Sequence, residues 1–365
     1  MKKTNSDGTT KSESLPSMQD LAQACGVSSM TVSRALRAVK PTAAQRRIRD
    51  MAVKIGYRVN ARMGRPRRVR RTTGTPGPAC EIIVGASIGG GNLYHTRLFG
   101  EIELTLRRHG YDCIIRMCDE NYDNFILLCE ALRRTRPQIL ILIGWFHPDR
   151  IHTLISFAPY SIMVDRHADG SIEQRCESIS FDNTAAARLA VKHLLEQGRR
   201  KILLIKGPGK HYFSIDIERG YREALEESGI RIVPALIQTA DFTADGARQE
   251  ITTALTQGIE FDAVFTNDEM ALGVLRALHD TRIAVPDKVA VAGCDGLPIG
   301  NHAIPSLTTV MMDSRQLGRL AAEHVVERQR HPQMPLRRIQ LLPQLIVRES
   351  STTSPPPRQS TPPDL

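Results

Sequence analysis

The chain has 365 residues, of which 41% are hydrophobic, enough apolar material for two or three domains with cores of their own. Its net charge of +10 is segregated: residues 1–79 hold 17 Lys/Arg against 4 Asp/Glu, and the remaining 286 hold 32 against 35. The seven cysteines, at 25, 80, 113, 118, 129, 176 and 294, are odd in number and contain no C-x-x-C pair. That argues against a disulfide framework or zinc site and fits a reducing cytoplasm.

Residues 1–16, "MKKTNSDGTTKSESLP", carry no apolar run, so they read as a disordered basic tail and not as a secretory signal. The next segment has helical periodicity. Met18, Leu21, Ala22 and Cys25 recur on one face behind Ser17 as N-cap, and Gly26 is free to end the helix. Val27 plugs the core, and Ser28 caps a second helix with Val32, Ala35 and Leu36 inward. A third runs from about 42 to 55 with Ile48, Met51, Ala52 and Ile55 inward, and Gly56 ends it. Each is too short to stand alone. Together they make a core in which helix, glycine turn and helix form a helix-turn-helix. The outward residues of the second helix, Ser29, Met30, Thr31, Ser33 and Arg34, are mostly short and hydroxylated. They suit phosphates and base edges, and an arginine can grip guanine with two hydrogen bonds. The concentrated positive charge around them points to nucleic acid.

The run "MQDLAQACGVSSMTVSRALR" followed by "IGYRVN" resembles the headpiece of the lactose/galactose-repressor family of bacterial transcription regulators. The resemblance implies a DNA-binding domain over 17–60. Ser29, Met30 and Arg34 fall at its base-contacting positions, and Ser28, Thr31 and Ser33 at phosphate-contacting or capping ones. Asn60 falls where the family hinge begins.

The stretch 61–79, "ARMGRPRRVRRTTGTPGPA", departs from that pattern. Pro66 stands where the family's hinge helix carries a leucine wedge, and proline does not sit inside a helix. Gly64-Arg65-Pro66-Arg67-Arg68 resembles the Gly-Arg-Pro core of an AT-hook, whose extended arginines suit a narrow minor groove. A solvated linker attracted only to phosphates is the alternative, and Met63 as the wedge is a third.

From residue 80 to 349 short apolar runs alternate with amphipathic segments. "EIIVGAS", "DCIIRMC", "ILILIG", "SIMVD", "KILLIKG", "ALIQTA", "AVFTN" and "VAVAGCD" read as strands, separated by stretches such as "TAAARLAVKHLLEQG". Two such sets predict two doubly wound parallel-sheet lobes, with a ligand site beyond the carboxyl ends of the strands. This region also resembles the family's effector domain, of the periplasmic-binding-protein type, over "ISFDNTAAARLAVKHLLEQG" and "DAVFTNDEMALGVLRALHD". Residues 350–365 are rich in Ser and Pro and read as a disordered tail.

Asp165, Asn267 and Asp295 end strands and could accept hydrogen bonds from sugar hydroxyls, and the resemblance places each in the effector cleft. Asp268, next to Asn267, reads as a helix cap. The resemblance puts Tyr94 and His95 at the pocket, Phe242 at its stacking position, and His211 and Phe213, with Tyr212 and Lys210 beside them, in a neighbouring loop. Many members carry an arginine where this chain has Ile217. A basic group at Lys210 or His211 would pair with a sugar acid such as gluconate or with a sugar phosphate, unless both residues only line the rim.

Motifs for a nucleophile elbow, a zinc protease, a Walker loop or a dinucleotide turn do not occur, so an enzyme is not expected, nor a cofactor or metal. The longest apolar runs fall short of a membrane span. A periplasmic binding protein would not need a basic headpiece, and a nucleoid structural protein would not need a clefted rear region. The resulting expectation is a cytoplasmic, nucleoid-associated repressor that binds a pseudo-palindromic operator as a homodimer. A sugar, sugar acid or sugar phosphate between the lobes would set its affinity. The alternatives are a protein co-regulator in place of the small molecule, or an activator. The dimer surface is expected on "LFGEIELTLRRHGY" and "NFILLCEALRRTR". The tail lacks the heptads a tetramer would need.

Overall fold

The computed structural model describes residues 18–37, 42–54, 79–85, 93–119, 121–168 and 170–352. The expectations for the first tail, for Ile55 and Gly56, and for Asn60, Met63, Arg65, Arg67 and Arg68 lie outside them. The chain forms two units, Met1–Gly74 and Thr75–Leu365.

The first unit contains α1 (Met18–Cys25), α2 (Ser29–Arg37) and α3 (Ala43–Lys54). Leu21, Ala22, Val32, Ala35, Ile48 and Ala52 are buried together, with Met18, Val27, Leu36 and Met51 packed around them. Gly26 takes φ +66°, the left-handed turn that ends α1. Ser28 caps α2 by accepting from the Thr31 amide at 3.2 Å. Thr42 and Gln45 cap α3 reciprocally: the Thr42 amide donates to Gln45 Oε1 at 2.9 Å and the Gln45 amide to Thr42 Oγ1 at 3.4 Å, a capping box.

The second unit runs β1 (Cys80–Gly85), α4 (Leu93–Arg108), β2 (Cys113–Cys118), α5 (Tyr122–Thr135), β3 (Ile139–Ile143), α6 (Pro148–Ile155), β4 (Tyr160–Val164) and β5 (Glu177–Phe181). It continues α7 (Asn183–Glu196), β6 (Ile202–Lys206), α8 (Tyr212–Glu227), β7 (Ile237–Thr239), α9 (Ala244–Thr256), β8 (Ala263–Phe265), α10 (Asp268–Asp280) and β9 (Ala290–Asp295). Then come β10 (Thr308–Met311), α11 (Ser314–Arg330), β11 (Arg338–Leu341) and β12 (Gln344–Ile346). Two sheets form, ordered β11-β5-β4-β3-β1-β2 and β12-β10-β9-β8-β6-β7. The chain therefore crosses between the lobes after β5, after β10 and after β11. Strands such as β3, "ILILI", are buried at every position, as expected where helices cover both faces. The one departure from parallel pairing among the described strands is β12, antiparallel to β10.

The lobe built on β1–β5 is held together by close packing against α11 and by buried charge. A Cβ at Gly318 of α11 would lie 2.7 Å from the Leu98 carbonyl oxygen of α4, so these helices approach at backbone distance. Glu177 of β5 is buried and accepts from Tyr160 Oη at 2.8 Å and from the Arg337 amide at 3.0 Å, with His324 Nε2 at 3.0 Å and the Arg328 guanidinium beside it. Burial opposes its charge, but the hydrogen bonds from His324, Arg328 and Tyr160 prevail and hold the carboxyl at about 2.

The expected boundary at 350 is too early. Ser350 and Ser351 are buried. The Val291 amide donates to the Ser350 carbonyl at 2.7 Å, Ser350 Oγ donates to the Val291 carbonyl at 2.6 Å, and Ser351 Oγ lies 2.7 Å from His193 Nε2. Tertiary partners on β9 and α7 order a segment whose polar composition resembles a tail.

Candidate effector cleft and DNA-reading helix

The carboxyl ends of β4, β6, β8 and β9 converge between the lobes. Asp165 follows β4 with φ +70°, an uncommon conformation for a residue with a Cβ. Its carboxylate accepts from Tyr94 Oη at 3.1 Å and lies 2.9 Å from His95 Nε2, both on the first turn of α4. It also accepts from Tyr212 Oη at 2.9 Å, and Tyr212 opens α8 in the other lobe. Burial first, then the charge of Asp165, pushes both phenols above their ordinary range, so they remain donors.

His211 is the N-cap of α8. Its Nδ1 accepts from the Phe213 amide at 3.2 Å, which leaves the proton of the neutral ring on Nε2. Burial, then the neighbouring His95, lowers its pKa to about 3. The imidazole stacks on Tyr212 with centroids 4.6 Å apart and meets the Phe242 ring edge-on at 4.9 Å. Phe213 lies 6.1 Å from Phe242. Gly207, just past β6, makes room for this cluster: a Cβ there would sit 2.0 Å from Phe242 Cζ. The Arg166 guanidinium stands 5.5 Å over the Tyr212 ring and donates to the Phe146 carbonyl at 3.2 Å.

Asp295 closes β9. Burial, then the charges of Asp268, Asp165 and Glu269, raises its pKa well above the carboxylate range. Asp295, Arg97, Asn301 and Arg348 line a recess of about 150 Å³. Phe213, Ile217, Met270, Cys294 and Asn267 line a closed crevice with no room for a water molecule.

Two expectations change here. The cap of α10 is Asn267, whose Oδ1 accepts from the Met270 amide at 2.9 Å, so one face of its amide is spent on the helix. Asp268 does not cap: it is fully buried, accepts from the Leu297 amide at 2.6 Å and from Thr309 Oγ1, and burial lifts it to about 6. The basic grip on an acid is also absent where it was sought. His211 is uncharged near neutral pH, and Lys210 is exposed.

Tyr94, His95, Asp165, His211, Phe213, Phe242, Asn267 and Asp295 thus gather in one region of the cleft. Sequence reading passed over Tyr212 as a partner of Asp165, and also Arg166, Arg97 and Arg348. Arg166 directly follows a strand-end carboxylate, a signal that could have been used. Arg348 is 53 residues from Asp295 in sequence, and nothing local announces it.

On α2, Val32 and Ala35 face the core, whereas Met30 is 65% exposed and Thr31 and Arg34 are exposed. Ser29 and Ser33 lie half-buried beside them. Ser28 Oγ and Thr31 Oγ1 are 2.9 Å apart, so the cap serine also positions the threonine hydroxyl.

Two doubly wound lobes with converging strand-end groups define a two-lobed ligand-binding protein. Residues 191–351 match a periplasmic binding protein-like domain. The chain is 25% identical over 356 residues to the ribose operon repressor of Escherichia coli (strain K12), covering 92% of this chain and all of that one. The structure of a transcriptional regulator CelR–cellobiose complex matches with TM-score 0.68 and 24% identity over 92% of this chain and 99% of that one. The lac repressor dimer bound to operator and an anti-inducer matches with TM-score 0.67 and 21% identity over 93% and 99%. Along nearly its whole length the chain is thus similar to transcriptional repressors of the lactose/galactose-repressor (LacI) type.

Proposed function

We propose that the protein is a repressor that binds a pseudo-palindromic operator as a homodimer, in the cytoplasm. Its operator affinity is set by a neutral sugar held between the lobes. The observation that carries the sugar reading is the cleft itself: carboxyls of Asp165 and Asp295, a neutral His211 and the ring of Phe242 combine hydroxyl acceptors with a stacking face. The carboxylate of Asp165 offers acceptors to hydroxyls and no positive charge to an anion, which disfavours gluconate. The similar proteins named for ribose and cellobiose support a neutral sugar as well.

Ser28, Ser29, Met30, Thr31, Ser33 and Arg34 would enter the major groove, with half-sites roughly 34 Å apart. Asn60 and the Arg65, Arg67 and Arg68 segment would follow the backbone into the minor groove at the operator centre. The dimer face is read on the edge strand β2 and on α5, where Ile114, Ile115, Met117, Tyr122 and Leu127 are exposed. The apolar face of α4 is less suitable, because Leu98, Ile102 and Leu106 are buried in its own lobe. Coupling between sugar and operator would be about 1–3 kcal/mol.

The test is a thermal-shift panel of ribose, cellobiose, gluconate, sugar phosphates and nucleobases, on the wild type and Asp295→Ala. A neutral sugar should stabilise the wild type and not the variant. A shift from gluconate alone, or from nothing, would defeat the neutral-sugar reading.

A further inference from the structure

Asp165 belongs to one lobe and Tyr212 to the other, yet they share a hydrogen bond of 2.9 Å. The rest of the Asp165 carboxylate is already engaged. Tyr94 Oη reaches Oδ1 at 3.1 Å, and His95 Nε2 lies 2.9 Å from the oxygen that Tyr212 uses. A carboxylate offers about four lone-pair positions, so these partners take most of them. Tyr212 is held in place from several sides. Its ring stacks on His211, which is fixed by capping α8. Its other neighbour is Arg166, anchored in the Asp165 lobe through the Phe146 carbonyl.

We infer that Tyr212 is a cross-lobe latch. Its phenol ties the lobes together through Asp165, and a sugar hydroxyl gains full use of that carboxylate only by displacing it. The second half rests on the reading of the cleft as a sugar site. It makes Tyr212 a specificity-determining residue, because only a ligand rich in hydroxyl donors can restore the hydrogen bond that the phenol gives up on this half-buried carboxylate. A ligand offering acceptors alone, such as a carboxylate, would meet Asp165 without a proton to donate.

The experiment is hydrogen exchange by mass spectrometry on the full chain without added sugar, wild type against Tyr212→Phe. Phenylalanine keeps the ring against His211 and Arg166 and removes only the hydroxyl. Peptides covering 93–99 and 162–168, in the opposite lobe, should exchange about fivefold faster in the variant, while peptides of β3 and β8 stay unchanged. Asp165→Asn, which tolerates a left-handed backbone, should repeat the pattern. Acceleration confined to 208–216, or none, would overturn the latch. Displacement is read separately, by the affinity for whichever of ribose or cellobiose stabilises the wild type. Tyr212→Phe should bind it about threefold to tenfold tighter, because a hydrogen bond of typical strength no longer competes. Weaker binding would make Tyr212 an ordinary contact and overturn displacement. If neither sugar stabilises the wild type, the sugar reading and the displacement step both fail, while hydrogen exchange still decides the latch.

Discussion

His211 is uncharged because it is buried beside His95 and uses Nδ1 as a helix cap. In the unfolded chain an imidazole takes up a proton below about pH 6.5, whereas here it does so only near 3. The unfolded state therefore binds more protons between those values. The stability this group contributes is full above about pH 6.5 and falls with acidification, by about 1.4 kcal/mol per pH unit at most. Asp268, raised to about 6, acts in the opposite sense between its ordinary value of about 4 and 6, over most of that window. Urea unfolding from pH 7 to pH 5 should therefore show a smaller acid loss in His211→Asn, which keeps a capping side chain, than in the wild type. Equal slopes would mean that His211 titrates normally. At Gly207 the argument is steric: a methyl 2.0 Å from Phe242 Cζ must move the ring. Gly207→Ala should weaken sugar binding at least about tenfold, read by calorimetry, since a ligand face misplaced by an ångström loses its contacts.

Caps and close approaches decide how well each element holds. Ser28→Ala removes the hydrogen bond to the Thr31 amide and should cost the headpiece about 1 kcal/mol, measured by its melting. Ser28→Asp keeps a cap but adds negative charge facing DNA. If Ser28 is only a cap, this variant should melt like the wild type and bind DNA like it; if Ser28 also meets phosphate, it should melt normally and bind poorly. Between α4 and α11 there is no room for a side chain at position 318. Gly318→Ala should destabilise the second unit by about 1–3 kcal/mol, with the loss visible in chemical denaturation.

At the scale of the whole molecule, the positive charge of the first 79 residues and the exposed apolar edge of β2 and α5 have separate roles. The charge predicts DNA affinity that falls steeply with salt. The apolar edge predicts self-association. Met117→Glu combined with Leu127→Glu should give a monomer in sedimentation, and should weaken binding to a palindromic site far more than to a single half-site. A dimer that persists would move the interface elsewhere. Arg65→Ala with Arg67→Ala should weaken binding most at operators with an A·T-rich centre. Equal loss on all centres would leave these residues with phosphate contacts only.

Much of this was legible in the sequence, where the physics is local. Helix periodicity, a glycine turn and the cap at Ser28 specify the headpiece. Buried apolar runs between amphipathic segments specify two parallel α/β lobes, and strand ends mark Asp165 and Asp295. What depended on distance along the chain was not legible. Whether Asn267 or Asp268 caps α10 turned on Thr309 and Leu297, far away in sequence, which claim the Asp268 carboxylate. Ser350 and Ser351 are ordered only because β9 and α7 offer partners to a polar segment. Residue type says that a histidine can be basic, but only the fold shows that burial beside His95 keeps His211 uncharged. Nor could spacing show that Tyr212, 47 residues beyond Asp165, reaches across to it. Sequence determined the elements and the ends at which chemistry gathers. The tertiary structure decided which groups are desolvated, which are already hydrogen-bonded and which face each other across the cleft, because those depend on contacts that only the folded chain brings together.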